Sequence, residues 1–427
     1  MRYMRTLKIW NIGPITFVDM KVNRVNMIIG PQSSGKSTIA KILSFCLWLE
    51  KDVIAHQDKD YVTKEIIQDE LLDYHKINSY LNEGAKIEYT GKYINFYFKS
   101  IDSFTVELTK DFPKSEIGKV AYIPSERNLV ALGNLTGLKL PDYYVRDYLF
   151  DWLNLHTKFE KKNKVSILDL GVSYYYDEEG KGETVQLDNG KELEINEVSS
   201  GLQSLIPLMV SLEYVTKWVF EHKEDMSFDK NSVLSKALIR AISPNIDNEH
   251  IEEALTLPKM VKQLQETLKA IINHDIPVDV KPEFQNISKL NERIQVPHYV
   301  NLIVEEPEQN LFPKTQVTLI YEMLKMLVRE DDILLITTHS PYTLYALNNC
   351  MLGDKVKDVI DEDEIEGLAS MGSWIDGDRV SIWQVTDQGS LKPLKESPAG
   401  LIGKHYFNDV MNETLNEYHT MIDYLTL

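Results

Sequence analysis

Cysteine is scarce: Cys46 and Cys350 are the two in 427 residues, too few for a disulfide framework and in keeping with a reducing compartment. No apolar run approaches the roughly 18–20 residues that span a bilayer, and Met1 to Ile9 lacks the apolar stretch of a secretion signal. A soluble, cytoplasmic chain with no membrane part is therefore expected. Positive charge is also in deficit. Against 65 Asp+Glu there are 46 Lys+Arg, a formal charge of −19, which disfavours a surface that coats DNA or anionic lipid broadly but leaves room for a local basic groove. Repeats and sustained heptads are missing, so a long coiled coil is not encoded. Core material is plentiful. Hydrophobic residues make up 43% and aromatics 10%, which excludes a disordered chain and fits two or three domains or one large α/β domain with insertions.

Strand patterns open the chain. Leu7–Trp10 and Ile15–Val18 flank the turn signal at Asn11–Pro14, and the apolar run Val25–Ile29 enters Gly30, after which helical spacing runs from Ser37 to about Glu50. Ile66, Ile67, Leu71 and Leu72 predict one or two surface helices before Glu83. Lys86–Tyr89, Tyr93–Phe98 and Phe104–Leu108 read as a small antiparallel sheet, Val120–Ile123 as a short buried strand, and Val165–Ile195 as further β structure with turns at Glu179-Gly180 and Asn189-Gly190. Ser200 and Gly201 start an amphipathic helix that Pro207 is placed to kink. Residues 221–297 are charged with helical spacing. Two buried strands follow, Tyr299–Val304 and Ile333–Thr337, with a helix near Thr315–Val328 between them, then an acidic run at Asp361–Glu366, a hairpin-like region and a terminal helix from Tyr406.

Chemistry concentrates at three strand ends. Gly30-Pro31-Gln32-Ser33-Ser34-Gly35-Lys36-Ser37 fits the phosphate-binding pattern G-x-x-x-x-G-K-[ST], with Thr38 completing the contact set. Its glycines let backbone N–H groups converge on phosphate, Lys36 neutralises β/γ charge, and the Ser37 hydroxyl ligates Mg²⁺. Leu302-Ile303-Val304-Glu305-Glu306 is an apolar strand ending in two carboxylates. Glu305 is placed to hold Mg²⁺ directly or through a water, and Glu306 to orient and deprotonate an attacking water; taken alone, the pattern equally describes a strand ending in a solvated acidic turn. Leu334–Thr338 ends at His339, either a γ-phosphate sensor or a structural histidine.

The order of these elements around Ser199-Ser200-Gly201-Leu202-Gln203 resembles the nucleotide-binding domains of ABC-class ATPases, whose corresponding signature reads Leu-Ser-Gly-Gly-Gln. Ser200, Gly201 and Gln203 match it and Leu202 departs from it, while the same residues also make an N-capping turn. The resemblance implies an α/β fold, an ABC-type ATPase head with mixed central sheet, antiparallel β subdomain and helical insertion, and a homodimer or higher oligomer that sandwiches two ATP molecules with Mg²⁺. Glu305–Pro313, Thr338–Pro341 and Tyr122–Asn128 are similar to the OLD-like branch, related to the RecF and SMC repair proteins. In that branch Asn310 and Leu311 would lie on a loop crossing the dimer interface. Ser125 or Glu126 would stand where other members carry a γ-phosphate-sensing glutamine. Arg127 pairs with phosphate, with a carboxylate, or with a glutamate that holds a turn.

The likeness covers three blocks, near 7–50, 118–215 and 298–350, and divides the chain into 1–220 and 298–427 as two parts of one head, with 221–297 as a helical insertion. A small-molecule kinase needs neither the signature nor a Glu306–His339 pair. A transporter subunit would normally be shorter and keep the glutamine loop. What remains first is an ATPase switch, slow without its partner, controlling a separately encoded effector; OLD-like relatives of this kind act in bacterial defence against phage or in toxin–antitoxin pairs. The insertion is expected to dock that partner, or else to form a lid of helices over the sheet. A TOPRIM nuclease, common in the branch, is not expected, because Asp361-Glu362-Asp363 sits in a solvated charge run. DNA binding through Lys158, Lys161, Lys162 and Lys164 is the alternative to a solvated basic turn.

Overall fold

Val25–Ile29, Tyr299–Glu305 and Ile333–Thr338 are buried at every residue, so their lack of alternation reflects a sheet covered on both faces. The structure is a computed structural model and describes residues 4–132, 143–180, 182–222, 228–243, 246, 250–251, 254–255, 258–272, 287–291, 297–396, 400–422 and 424. Its first fifteen strands are β1 (Arg5–Ile12), β2 (Ile15–Val22), β3 (Val25–Ile29), β4 (Leu81–Thr90), β5 (Ile94–Ser100), β6 (Ser103–Leu108), β7 (Gly118–Ile123), β8 (Val165–Ser166), β9 (Val172–Asp177), β10 (Gly182–Leu187), β11 (Glu192–Glu194), β12 (Tyr299–Glu305), β13 (Ile333–Thr338), β14 (Val380–Val385) and β15 (Leu391–Pro393).

The central sheet has the order β15-β14-β3-β13-β12-β7. It is parallel from β14 to β7, with β15 antiparallel at the edge, the mixed sheet expected for the class. Two antiparallel sheets accompany it, β2-β1-β4-β5-β6 and β11-β10-β9-β8. The opening strands β1 and β2 thus belong to the antiparallel subdomain and not to the central sheet. The helix Lys36–His56 follows the loop after β3 and buries Ile39, Leu43, Phe45 and Leu49.

Two local expectations change. Ile66, Ile67, Leu71 and Leu72 are all buried, and the segment is one α-turn running into a π-helix, Ile67–Asp73, so it is packed on the core and is not a surface helix. Strand β4 begins at Leu81, not Lys86. Pro207 is accommodated inside a helix that runs from Ser200 to Glu213 and passes into a second π-segment, Tyr214–Trp218. Within 221–297 the described helices are Phe228–Ile242 and Pro258–Ile272. Leu234, Leu238, Leu268 and Ile271 share one apolar cluster with Phe45, Ile67 and Leu71, and Lys236 Nζ lies 3.8 Å from Glu70. No helix among the described residues is long and apolar enough to cross a membrane.

A buried polar pair joins the helix Tyr144–Leu155 to β10: the Trp152 indole N–H donates to Glu183 at 2.6 Å. Burial pushes the Glu183 carboxyl up to about 7 from an ordinary 4.5. A carboxyl raised on folding contributes stability that is present at low pH and lost as pH rises through the folded value. Glu183→Gln removes that loss. Its melting temperature is expected to exceed that of the native chain at pH 8, with the gain shrinking toward pH 5, in paired thermal scans.

Candidate functional site

The parallel register sets Glu305 beside Thr337, Thr338 beside Ile29 and Val304 beside Ile123. The segments leaving β3, β13, β12 and β7 therefore emerge at one edge of the sheet, bringing Gly30–Thr38, His339, Glu305-Glu306 and Ser125–Arg127 together.

Backbone demands explain the loop. Gly35 has φ +104°, and a Cβ there would sit 2.5 Å from Ile15 Cδ1; a Cβ on Gly30, at φ +153°, would lie 3.1 Å from the Val385 carbonyl oxygen. Lys36 is buried and donates from Nζ to the carbonyls of Gly30 (3.0 Å) and Pro31 (2.7 Å). Burial lowers it to about 8, against the pull of Glu306, Glu308 and Glu305. Gln32 and Ser33 are exposed at the tip, Pro31 and Ser34 are half-buried, and Thr38 is buried.

The two carboxylates differ in surroundings. Glu305 is 3% exposed, and burial raises its carboxyl pKa, opposed by the Ser37 hydroxyl and the Lys41 ammonium. Glu306 takes a left-handed φ of 43°, donates its N–H to the Thr337 carbonyl at 2.9 Å, and places Oε1 3.3 Å from His339 Nε2. Hydrogen bonding to His339 holds its carboxyl below the ordinary value. The His339 backbone N–H donates to Glu308 Oε1 at 2.7 Å, so a third, half-buried glutamate fixes the turn that carries the histidine.

Glu305 Oε1, Thr337 Oγ1 and Ser34 Oγ are buried atoms without a hydrogen-bond partner. They fit a divalent cation bound with phosphate oxygens, since Mg²⁺ is commonly held by one or two protein groups plus phosphate.

The signature turn forms a second ledge. Ser199 caps the helix by accepting from Leu202 N–H at 3.5 Å, and Ser200 is exposed. A Cβ on Gly201 would lie 3.0 Å from the Asn310 carbonyl oxygen, which accounts for glycine there. Asn310, at φ +60°, donates from Nδ2 to Ser204 Oγ at 2.9 Å. Gln203 is turned into its own approach, donating to the carbonyls of Asn196 (3.0 Å) and Val198 (3.1 Å), so in this structure its amide braces the turn.

Arg127 turns to the main chain. Fully buried, it donates to four main-chain carbonyls: Pro124 at 3.2 Å, Ser204 at 3.3 Å, Glu305 at 2.8 Å and Glu306 at 2.8 Å. Ser125 Oγ donates to Glu126 Oε2 at 3.0 Å, and Tyr144 donates to Glu126 Oε1 at 3.3 Å. Sequence reasoning missed Lys41, whose ammonium lies 4.3 Å from the Tyr144 ring centroid and acts on Glu305 and Glu126. Its signal was spacing, one helical turn beyond Ser37. Tyr144 and the role of Glu308 carried no such signal.

Of the other candidates, Lys161 pairs with Glu192 (3.3 Å), Lys162 with Glu160 (2.9 Å) and Lys164 with Gln186 (2.6 Å). Asp361 is exposed just before a single helical turn, Glu362–Ile365, and Asp363 is exposed within it.

No family model matches the chain, and no curated protein does. Among solved structures it is similar to an SMC head domain from Thermotoga maritima, at 10% identity over 81% of this chain and 92% of that one, with a TM-score of 0.34. It is also similar to an SMC head bound to the C-winged helix domain of ScpA (9% identity, 81% and 92% covered, TM-score 0.38). A third is the recombination mediator protein RecF (12% identity, 92% and 98% covered, TM-score 0.32). At such scores the likeness assigns neither substrate nor partner.

Proposed function

We propose that this chain is an ATPase switch of the ABC class and the OLD-like branch: it binds ATP, dimerises around two ATP molecules, hydrolyses them and so controls a separately encoded effector, in bacterial anti-phage defence or a toxin–antitoxin pair. The observation that carries the catalytic part is the Glu306–His339 contact at 3.3 Å, on the strand end whose preceding residue is the buried Glu305 and facing the same edge as Lys36.

The loop backbone from Gly30 to Ser37 would cradle the phosphates, and Lys36 would exchange the carbonyls of Gly30 and Pro31 for phosphate oxygens. Ser37 and Glu305 are the residues to hold Mg²⁺, which supplies charge neutralisation on the phosphates when bound. Glu306, kept ionised by His339, orients water and accepts its proton. Ser200 and Gly201, presented at a helix N-terminus, are the groups to meet a partner protomer's nucleotide. The segment 221–297 is the proposed docking element for the effector. Since its helices share the core cluster with Ile67 and Leu71, exposed-residue substitutions probe that role better than deletion, which would uncover the cluster. Direct action on DNA is the weaker alternative, because Lys161, Lys162 and Lys164 are engaged by neighbouring side chains.

Two variants test the reading. Lys36→Ala is expected to abolish binding of a fluorescent ATP analogue. Glu306→Gln should keep that binding, lose on the order of 10²–10⁴ in kcat, and elute as a dimer with ATP in size-exclusion chromatography with light scattering. A Glu306→Gln chain that stays monomeric with ATP and turns over normally sinks the sandwich mechanism.

A further inference from the structure

Resting on the ATPase reading, we propose that Arg127 is a positioning residue: it holds Glu306 in the conformation that faces His339 and ties the Ser200 helix to the same strand end. Its guanidinium is inaccessible to solvent, and its four acceptors belong to three pieces of the site. Pro124 precedes the turn after β7, Glu305 and Glu306 end β12, and Ser204 lies in the first turns of the Ser200 helix.

A buried charge is costly, and four neutral carbonyls offset less of that cost than a carboxylate would. Burial accordingly lowers the guanidinium pKa. A side chain serving only as filler would be better apolar. What the guanidinium supplies is a planar fork of N–H donors that reaches three segments at once, which an ammonium cannot reproduce.

The geometry at Glu306 gives the fork a task. A glutamate at φ +43° occupies a region that L-residues avoid, so something must hold it there. Its N–H is fixed by the Thr337 carbonyl at 2.9 Å and its carbonyl by Arg127 at 2.8 Å. With the peptide pinned on both sides, the side chain is aimed at His339. The Nε–H of Arg127 and the Asn310 amide grip Ser204 at its carbonyl and its hydroxyl. The base and the partner-facing turn are thereby set at one spacing, so displacement of the helix is felt at Glu306.

The experiment compares the full native chain with Arg127→Lys, Arg127→Ala and Asn310→Ala in steady-state ATP turnover, with thermal melting as a control. Arg127→Lys is expected to lose about 100-fold in kcat, the scale of a small misplacement of a reacting group, with KM changed by no more than about threefold. Guanidinium ion should restore about tenfold of the lost kcat in Arg127→Ala but none in Glu306→Gln, as expected when a positioning group and not the base is missing. Asn310→Ala removes the second grip on Ser204 without touching a buried charge, so it keeps the test decisive if Arg127→Ala does not fold; a kcat loss at unchanged KM is expected. Native kcat in both Arg127→Lys and Asn310→Ala overturns the inference, as does a parallel loss of binding and turnover in Arg127→Lys. A native chain that never hydrolyses ATP overturns the ATPase reading itself, a different result from native turnover with unaffected variants.

Discussion

Asn26 donates its side-chain amide across β3–β13 to the Leu334 carbonyl at 3.2 Å and to the Asn23 carbonyl at 2.7 Å, while its own oxygen accepts from Asn23 N–H. Asp332 accepts from Val300 N–H at 2.9 Å and from Arg329 N–H at 2.8 Å. These contacts lie at the N-terminal ends of β3, β12 and β13, far along each strand from the chemistry. The strands between are apolar and buried at nearly every position, and such runs pair about as well in several registers. A buried polar group left unpaired costs roughly 1–3 kcal/mol, so the pairing that satisfies Asn26 and Asp332 is selected. Once chosen, it levels the other ends of the strands. A shift by two residues would keep the buried faces buried and still carry Glu305 and Glu306 away from Lys36 and His339.

At the levelled edge, burial acts on charges of both signs. Lys36 is pushed down and Glu305 up, each toward its neutral form. Neither is neutralised by a direct one-to-one pair: Lys36 leans on backbone carbonyls, and Glu305 keeps one oxygen without a partner. On the proposed reading, anionic phosphate with a divalent cation would supply the opposite charge to both at once, so a net charge of −19 does not forbid a polyanion there. Local potential from Lys36, Lys41 and a helix N-terminus outweighs distant acidic residues that solvent and salt screen. Glu306 departs from Glu305 because it is partly exposed and hydrogen-bonded to His339, so it stays ionised.

Legibility in the sequence follows the range of the interaction. Gly30–Ser37 was readable because the loop needs particular residue types at fixed spacing, and Glu305, Glu306 and His339 because each follows an unmistakably buried strand. The capping role of Ser199 is likewise local. Arg127 could be noticed but not interpreted: its acceptors are carbonyls at Pro124, Ser204, Glu305 and Glu306, and a main-chain carbonyl leaves no mark on residue identity. The side-chain partners of Gln203, the carbonyls of Asn196 and Val198, are equally silent in the sequence. Strand β14 forms the hairpin with β15 that the sequence suggests, but its place in the central sheet beside β3 is fixed by tertiary packing between segments more than 350 positions apart. The π-helix at Ile67–Asp73 has the apolar spacing of an ordinary surface helix, and its burial depends on neighbours supplied by distant parts of the chain.

The Ser200 helix is fastened to the central sheet at both ends. Arg127 and Asn310 hold it at Ser204. Where the helix widens into its π-segment, Arg329 donates to the Thr216 carbonyl at 3.0 Å and stacks its guanidinium over Phe220. The Arg329 backbone N–H in turn binds Asp332, the residue that pins β12. The helix is therefore coupled at one end to Glu306 and at the other to the register of the strand that carries it. A segment inserted after Glu221 and returning at Tyr299 starts from the second clamp and ends on the pinned strand. Its attachment points are thus both mechanically continuous with the edge that carries Glu306. An insertion in a surface hairpin such as β9–β10 would have no such connection, which makes the position of 221–297, more than its composition, the reason to expect that it reports the state of the site.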